Sequence, residues 1–531
     1  MSWRSTRAAG HTEHGNRQVA VIDLGSNSWR LVVFTFSPDE WWKRTDELYE
    51  TVRIGAGLEA TGRLSDEAMA RGLETLTVFQ RFCAANHLEG DDVITVATSA
   101  IRDAANGRDF LATAEASTGL RIEVLSAEDE ARYGYVAAVN TSTLTDGVVL
   151  ELGGGSMQLI QVVDRRAGEL TSCELGAVRV TERLLPGSGT AKKKELQNVR
   201  THVRETLAGL DWLSRSGWRM VGLGGAVRNL AAAAQRAAFA APPEDAQPAM
   251  DLGVQGYLLT RDALSELVET LAAMPAAKRG TVPGIKPGRA DIILAAAIVL
   301  DEVVELGGFE GIEVTEAGLR EGVFFARTLL AGGEPLFEDP RAVAVQNLAV
   351  QYESDLAHVE HVARLALQMH RSLVTEGLIE PKPSERELLW AASMLHDVGM
   401  TISYDDHHKH SQYLIVNAEL PGFDPRERAL IAQMTRYHRK GAPKLGEWAR
   451  VAQPSDEDLL ERCAVILRLA EHLERGRDQS VREAHLRANG KGVDLHLEAA
   501  GENLILPRWS VERYGDGEAF QRVFGRRLLI G

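Results

Sequence analysis

The stretch "VVLELGGGSMQLI" (residues 148–160) decides how this chain is read, because "VAVIDLGSNSWRLVVF" (19–34) follows the same plan about 130 residues upstream. Each is an apolar run, an acid, a turn of small residues and a second apolar run, a pattern that predicts strand, carboxylate, tight turn, strand. The first copy carries Asp23 before Gly25, Ser26, Asn27 and Ser28; the second carries Glu151 before Gly153, Gly154, Gly155 and Ser156. A turn stripped of bulk lets successive backbone N–H groups point into one concavity, which suits phosphate oxygens. The acid beside it would repel phosphate directly, so it points to an oriented water or to a divalent cation bridging to the phosphates. One glycine-rich hairpin turn is commonplace. Two in equivalent contexts imply a phosphate chain gripped from both sides.

Outward from these hairpins, the first lobe is expected over 18–142 after a disordered tail at 1–17. A third strand is expected near 45–54, following an irregular "SPDEWWKR". Next come a helix from "LSDEAMARGLETLTVFQRFCAANH" capped by Ser65, a strand at "DVITVAT", one helix across "IRDAANGRDFLATAEAST", a strand at "IEVLS", and a helix at "AEDEARYGYVAAVNTS". The second hairpin restarts the plan over 143–330, with "RMVGLGGAVRNLAAAA" giving strand, glycine turn and helix. From 335 to 485 the strand signal gives way to amphipathic helices, and a short β-rich tail is expected at 486–531.

Composition narrows the function. A chain of 531 residues exceeds one hydrophobic core, and 44% hydrophobic content fits globular folding. A net charge of −16 argues against general nucleic-acid binding and against anionic membranes, so a polyanionic substrate must meet a focused basic cleft. Cys83, Cys173 and Cys463 are far apart, with no zinc or disulfide spacing, which fits a reducing compartment and a cytoplasmic address. No apolar run reaches membrane-spanning length.

Further residues carry chemistry. Gly224 and Gly225 end a strand and open a helix, offering N-terminal amides to a phosphate. Arg102 and Arg53 follow strands at the ligand-facing edge of an α/β sheet, where guanidinium groups bind phosphate bidentately. Glu128, Asp129 and Glu130 open a helix, and one of them can act as general base toward a water. In the helical half, His358, His361, His396 with Asp397, "DDHHKHS" and "RYHRK" concentrate imidazoles; a helix-borne His-Asp pair with a distant His suits a Mn, Fe, Zn or Mg centre.

"VIDLGSNSWRLVV", "RIGAGLEATGRLSDEAMARGLETL", "ATSAIRDAANG", "EDEARYGY", "LELGGGSMQL", "LGAVR", "GLGGAVRNL" and "TEAGLREGV" occur in the order found in the exopolyphosphatase/guanosine pentaphosphate phosphohydrolase (Ppx/GppA) family, which residues 20–325 resemble. The resemblance implies α/β twin ribonuclease-H-like lobes of the actin, sugar kinase and Hsp70 ATPase type, followed by an α-helical HD-like domain. It makes Glu130 the catalytic glutamate, with Asp23 and Glu151 toward Mg²⁺, Mn²⁺ being the substitute. Relatives typically read "D-[IL]-G-G-G-S-x-E" at the second loop, so Glu151 and Gln158 depart from the pattern, and Gln158 would be a weak neutral ligand. His358, His396, Asp397 and Glu471 resemble the HD phosphohydrolase set, with Glu in place of the late Asp. His408, His410, His438, Arg439 and Lys440 fall in segments that resemble basic family segments lining a path for a long polyanion. The implied function is exopolyphosphatase, with pppGpp 5′-phosphohydrolase as the alternative and a homodimer as the assembly. From other classes, a kinase or chaperone-like ATPase and a non-catalytic polyphosphate or alarmone sensor remain open.

Overall fold

The computed structural model describes residues 15–38, 40–215, 217, 219–239, 253–501, 503–514 and 516–530. The tail expected at 1–17 lies outside them through residue 14, and the first strand already begins at Arg17. The chain divides into two compact units, Met1–Pro340 and Arg341–Gly531.

The first unit holds two sheets of one design. Strands β1 (Arg17–Leu24), β2 (Trp29–Ser37), β3 (Trp41–Glu50), β4 (Val93–Ala97) and β5 (Ile122–Val124) lie in the order β3-β2-β1-β4-β5. Strands β6 (Gly147–Leu152), β7 (Met157–Val163), β8 (Arg166–Cys173), β9 (Met220–Leu223), β10 (Leu258–Thr260) and β11 (Gly311–Val314) lie in the order β10-β11-β9-β6-β7-β8. In each sheet the acid-bearing strand pairs antiparallel with its hairpin partner on one side and parallel with a later strand on the other. Two ribonuclease-H-like lobes result, as expected. Val19, Ala20, Val21 and Ile22 are all buried, so β1 is covered on both faces, the usual state of a strand flanked by crossover helices.

Two elements differ from the sequence reading. Strand β3 starts at Trp41 rather than near 45, because Trp41 and Trp42 pair with Ser37 and Phe36 across the hairpin. The single helix expected over 101–118 is two, Ser99–Asp103 and Gly107–Thr118. Asn106 interrupts it: its amide bonds the N–H and carbonyl of Leu64 at 2.8 and 3.0 Å. Gly107 then lies so close to Ile101 that an added Cβ would stand 2.1 Å from that carbonyl oxygen.

The lobes are tied by two helices. Ala127–Asn140 leads from β5 to β6, and Leu319–Phe324 follows β11 and packs against it. Their approach is close enough that a Cβ on Gly322 would lie 1.9 Å from the Tyr133 carbonyl oxygen. Beyond it the chain returns to the first sheet: Phe324 stacks on Phe34 at 4.3 Å between ring centroids, and Phe337 stacks on Trp42 at 5.3 Å.

The second unit is helical, with Leu356–Thr375, Pro383–Leu395, His407–Asn417, Pro425–Arg436 and Asp456–Leu473 as its main elements. The β-rich tail expected at 486–531 is a small sheet that begins earlier, at Val481, and carries helices as well. Strands β12 (Val481–Ala488), β13 (Val493–Ala499) and β14 (Leu528–Ile530) form one sheet, and two helices, Ile505–Arg513 and Asp516–Phe524, lie between β13 and β14. "ILPRW" reads as strand from its apolar density, yet Pro507 sits in a first helical turn, where its missing N–H costs no bond. Val511 and Phe520 are buried, which fixes the layer.

Candidate active site

The two hairpin turns meet. Ser26 of the first lies 3.0 Å from Ser99, Oγ to Oγ, and an added Cβ on Gly155 would stand 2.6 Å from Ser99 Oγ and 2.9 Å from Ser26 Oγ. A Cβ on Gly154 would be 3.1 Å from the Cβ of Ser26. Glycine is therefore required by the opposing loop, and the duplicated pattern is explained by two loops that share one site.

Each loop is held from behind by its carbonyls. The N–H groups of Arg53 and Gly55 donate to Asn27 and Ser26 at 2.9 and 3.0 Å. In the second lobe, the first amides of helix Ala177–Leu184 play the same part: Ala177 N–H donates to the Gly153 carbonyl at 3.0 Å and Val178 N–H to that of Gly154 at 2.8 Å. A helix N-terminus thus takes the carbonyl side of the loop.

A cavity of about 110 Å³ opens between the loops. Its lining brings together Asp23, Gly25, Ser26, Asn27, Ser28, Glu130, Glu151, Gly153, Gly154, Gly224 and Gly225, all singled out in the sequence. Of the three acids that open helix Ala127–Asn140, Asp129 is engaged with its N-cap Ser126 and Glu128 is exposed, while Glu130 is buried against the cavity. Arg102 donates to Glu130 Oε2 at 3.0 Å and to the Leu125 carbonyl at 3.1 Å, so it holds the acid from beside and does not line the cavity. Arg53 is turned away to Asp291 at 2.9 Å. Ser156 and Gln158 are buried behind the loop, and the Gln158 amide donates to Ser156 Oγ at 2.9 Å. Gln158 is outside the cavity.

Sequence reasoning missed four arginines on the wall: Arg30, Arg228, Arg289 and Arg320. Arg228 and Arg320 fall within "GLGGAVRNL" and "TEAGLREGV", where glycines drew the attention. Arg30 follows Ser28 by two positions, one strand period, which could have revealed it. Arg320 donates to Asp23 Oδ2 at 3.1 Å, and Arg228 donates to the Glu316 carbonyl.

Electrostatically the site is strained in both signs. Burial raises Glu130 above the usual carboxylate range against the pull of Arg102, and burial likewise raises Asp23 against Arg320. Glu151 is pushed up to about 8 by burial and then by Glu130 and Asp23; its buried Oε2 has no hydrogen-bond partner. Room for that carboxylate comes from Gly134, where a Cβ would stand 2.2 Å from Oε2. Burial, and then Arg30 and Arg320, lowers Arg228 to about 10. Crowded carboxylates suit a divalent cation, and crowded guanidinium groups suit phosphate oxygens.

In the second unit, Glu471 Oε2 lies 3.1 Å from His358 Nε2 and 3.2 Å from His396 Nε2. Asp397 stands beside them, bonded by Arg477 through Oδ2. His408 is buried, with neither ring nitrogen hydrogen-bonded, and His410 is partly exposed. Lys440 is exposed, 3.9 Å from Asp406, and Arg439 lies over the Tyr404 ring. No helix among the described residues is long and apolar enough to cross a membrane.

The chain is similar to known proteins along most of its length. A curated relative, guanosine-5′-triphosphate,3′-diphosphate pyrophosphatase of Vibrio vulnificus (strain YJ016), is 28% identical over 483 residues, which is 90% of this chain and 92% of the relative. Among solved structures, an exopolyphosphatase from Cytophaga hutchinsonii ATCC 33406 covers 60% of this chain and 100% of its own, at 22% identity and TM-score 0.53, a likeness of fold. The Ppx/GppA phosphatase family profile matches residues 45–330, and that of Ppx/GppA phosphatase domain III matches 341–506. With twin lobes, paired glycine loops and a family match over more than half its length, the chain belongs to the Ppx/GppA phosphatase family of phosphoanhydride hydrolases.

Proposed function

We propose that this protein is an exopolyphosphatase, releasing the terminal phosphate of inorganic polyphosphate by attack of water. The observation that carries the reading is the make-up of the cavity: two glycine loops, three carboxylates and four arginines line it. Such a surface suits a chain of phosphates along its length.

Glu130 is the general base. Burial strengthens it as a base, and Arg102 fixes the orientation of its carboxylate toward the attacking water. Amides of the paired loops and the wall arginines receive the charge that builds on the transferred phosphoryl group, and they also fix its position. Gly224 and Gly225, at the start of helix Gly225–Ala238, are suited to the next phosphate inward.

Members of this family generally use a divalent metal. Asp23 and Glu151 fit one: both are carboxylates raised by burial, and Glu151 keeps a buried oxygen without a partner. Mg²⁺ held there would neutralise charge on the phosphoryl oxygens, Mn²⁺ serving as its substitute. Gln158 supports the loop through Ser156 rather than a metal.

A second reading, hydrolysis of the 5′-terminal phosphate of pppGpp, is favoured by the extent of the match to the Vibrio vulnificus pyrophosphatase. Phosphate release from long-chain polyphosphate and from pppGpp, at matched terminal-phosphate concentration with Mg²⁺, tests both. Faster Glu130-dependent release from polyphosphate supports the first reading; a preference for pppGpp replaces it with the second. Absence of Glu130-dependent release from either sinks both.

A further inference from the structure

Three histidines of the helical unit are fixed in one tautomer. His396, His407 and His438 each place Nδ1 against a carbonyl of the preceding turn: Ser393 at 2.6 Å, Tyr404 at 2.9 Å and Thr435 at 2.7 Å. A ring nitrogen that close to a carbonyl carries the proton, so Nε2 of a neutral ring presents a lone pair; His396 Nε2 faces Glu471 Oε2 at 3.2 Å instead. For His407 the guanidinium of Arg439 also approaches Nδ1, but at 3.5 Å it is the longer contact.

The consequence falls on His407 and His438. Their Nε2 atoms face each other at 3.1 Å, and Asp397 Oδ1 lies 3.3 Å from the same His407 nitrogen. Three acceptor atoms therefore converge in a buried place, since His407, His438 and Asp397 are each at most 5% exposed. Acceptors repel unless something positive stands among them, and a single shared proton satisfies one pair only. Arg477 does not fill that role, because it binds the other oxygen of Asp397, Oδ2. The two separations from His407 Nε2 suit a metal, since donor atoms about 2.1 Å from one cation, at octahedral or tetrahedral angles, stand about 3.0–3.4 Å apart, and all three donors lie within 4.8 Å of one another.

We propose that Asp397, His407 and His438 bind a divalent first-row transition-metal ion, next to the His358, His396 and Glu471 group, with Asp397 between the two. The donor set decides the class: two imidazoles and one carboxylate suit Zn²⁺, Mn²⁺, Fe²⁺ or Co²⁺ over Mg²⁺. The carbonyls of Tyr404 and Thr435 supply the outer hydrogen bonds that metal-bound histidines generally have. Asp397 relates the two groups, with Oδ1 3.7 Å from His396 Nε2 and Oδ2 3.8 Å from His358 Nε2. The site is separate from the cavity of the first unit, whose candidate metal ligands are all oxygens, and it does not rest on the substrate reading. His407 lies within "DDHHKHS", noted in the sequence for its imidazoles, but only its neighbours His408 and His410 were singled out there.

The test is a Co²⁺ titration of the full-length, chelator-stripped protein, followed by visible absorption and by metal content after gel filtration. The wild type and Asp23→Asn are expected to show nitrogen-ligated Co²⁺ bands. His407→Gln and His438→Gln are expected to lose that binding or weaken it by at least about 10-fold. His410→Gln, on the same helix and outside the triad, controls for folding and is expected to titrate as wild type, with thermal melts of all variants recorded alongside. No nitrogen-ligated Co²⁺ in the wild type would overturn the proposal. So would unchanged titrations in both His407→Gln and His438→Gln, or equal loss in His410→Gln.

Discussion

Glu130 bears most directly on turnover, because it is the one acid of its helix start that reaches the cavity. Glu130→Gln keeps shape and removes the proposed base, so kcat for phosphate release is expected to fall by about 10²–10⁴-fold. KM should move little; a KM change with kcat intact would make Glu130 a binding residue. Glu151 gives a second prediction, in pH. Its folded-state carboxyl titrates near about 8, against about 4.3 for an unfolded glutamate. Between those values the folded chain holds a proton that the unfolded chain has released. Its contribution to stability is complete below about 4.3 and is lost as pH rises toward about 8. In chelator, the wild type is expected to lose more Tm between pH 5.5 and pH 7.5 than Glu151→Gln. Added Mg²⁺ should restore Tm at pH 7.5 in the wild type more than in the variant. Equal pH slopes would remove Glu151 as the group responsible. At this scale the sequence was legible where a residue type is rare in its setting, as with an acid before a glycine turn. It was opaque for Arg289, which sits in "IKPGRADI" with no local sign of what it faces.

Among the elements, the helix Ala177–Leu184 matters more than its length suggests, because its first amides hold the second glycine loop. Gly176 is the hinge of that arrangement. A Cβ there would stand 2.2 Å from the Gly155 carbonyl carbon and 2.4 Å from both Gly154 O and Ser156 N. Gly176→Ala must therefore push the loop, and overpacking of this kind costs about 1–3 kcal/mol. Phosphate release is expected to fall at least about 10-fold, as displaced groups lose their transition-state geometry. Retention of full activity and wild-type Tm would mean the loop yields without effect. The sequence stretch "LGAVR" marked this element without explaining it, since the partner carbonyls lie about 24 residues earlier in the chain. The same limit hid the break at Asn106, whose side chain answers to Leu64. Periodicity sees a helix face but not the residue across from it.

At the scale of the whole chain, the division after Pro340 is the feature most open to test. The second unit has its own core, with Leu460, Cys463, Leu467, Leu389 and Val362 fully buried, and its own three-stranded sheet. Residues 341–531 expressed alone are expected to give a helical circular dichroism spectrum and one cooperative melt. A broad, non-cooperative melt would show that the division is only geometric. The twin-lobe plan was legible because the duplication is written in adjacent residues; in the layer formed by residues 481–530 the strands were legible and the helices were not, "ILPRW" being a strand-like apolar run.

The return of Phe324 and Phe337 to the first sheet also bears on how the protein is made. When a ribosome has produced the first lobe, Phe34, Phe36 and Trp42 exist without the rings that cover them, and roughly 300 residues separate the partners. Contacts so distant along the chain close late and slowly. A nascent chain stalled after the first hairpin exposes an aromatic surface of the kind that chaperones hold and that aggregates otherwise. The first sheet is therefore begun first and closed only after the second lobe has been made.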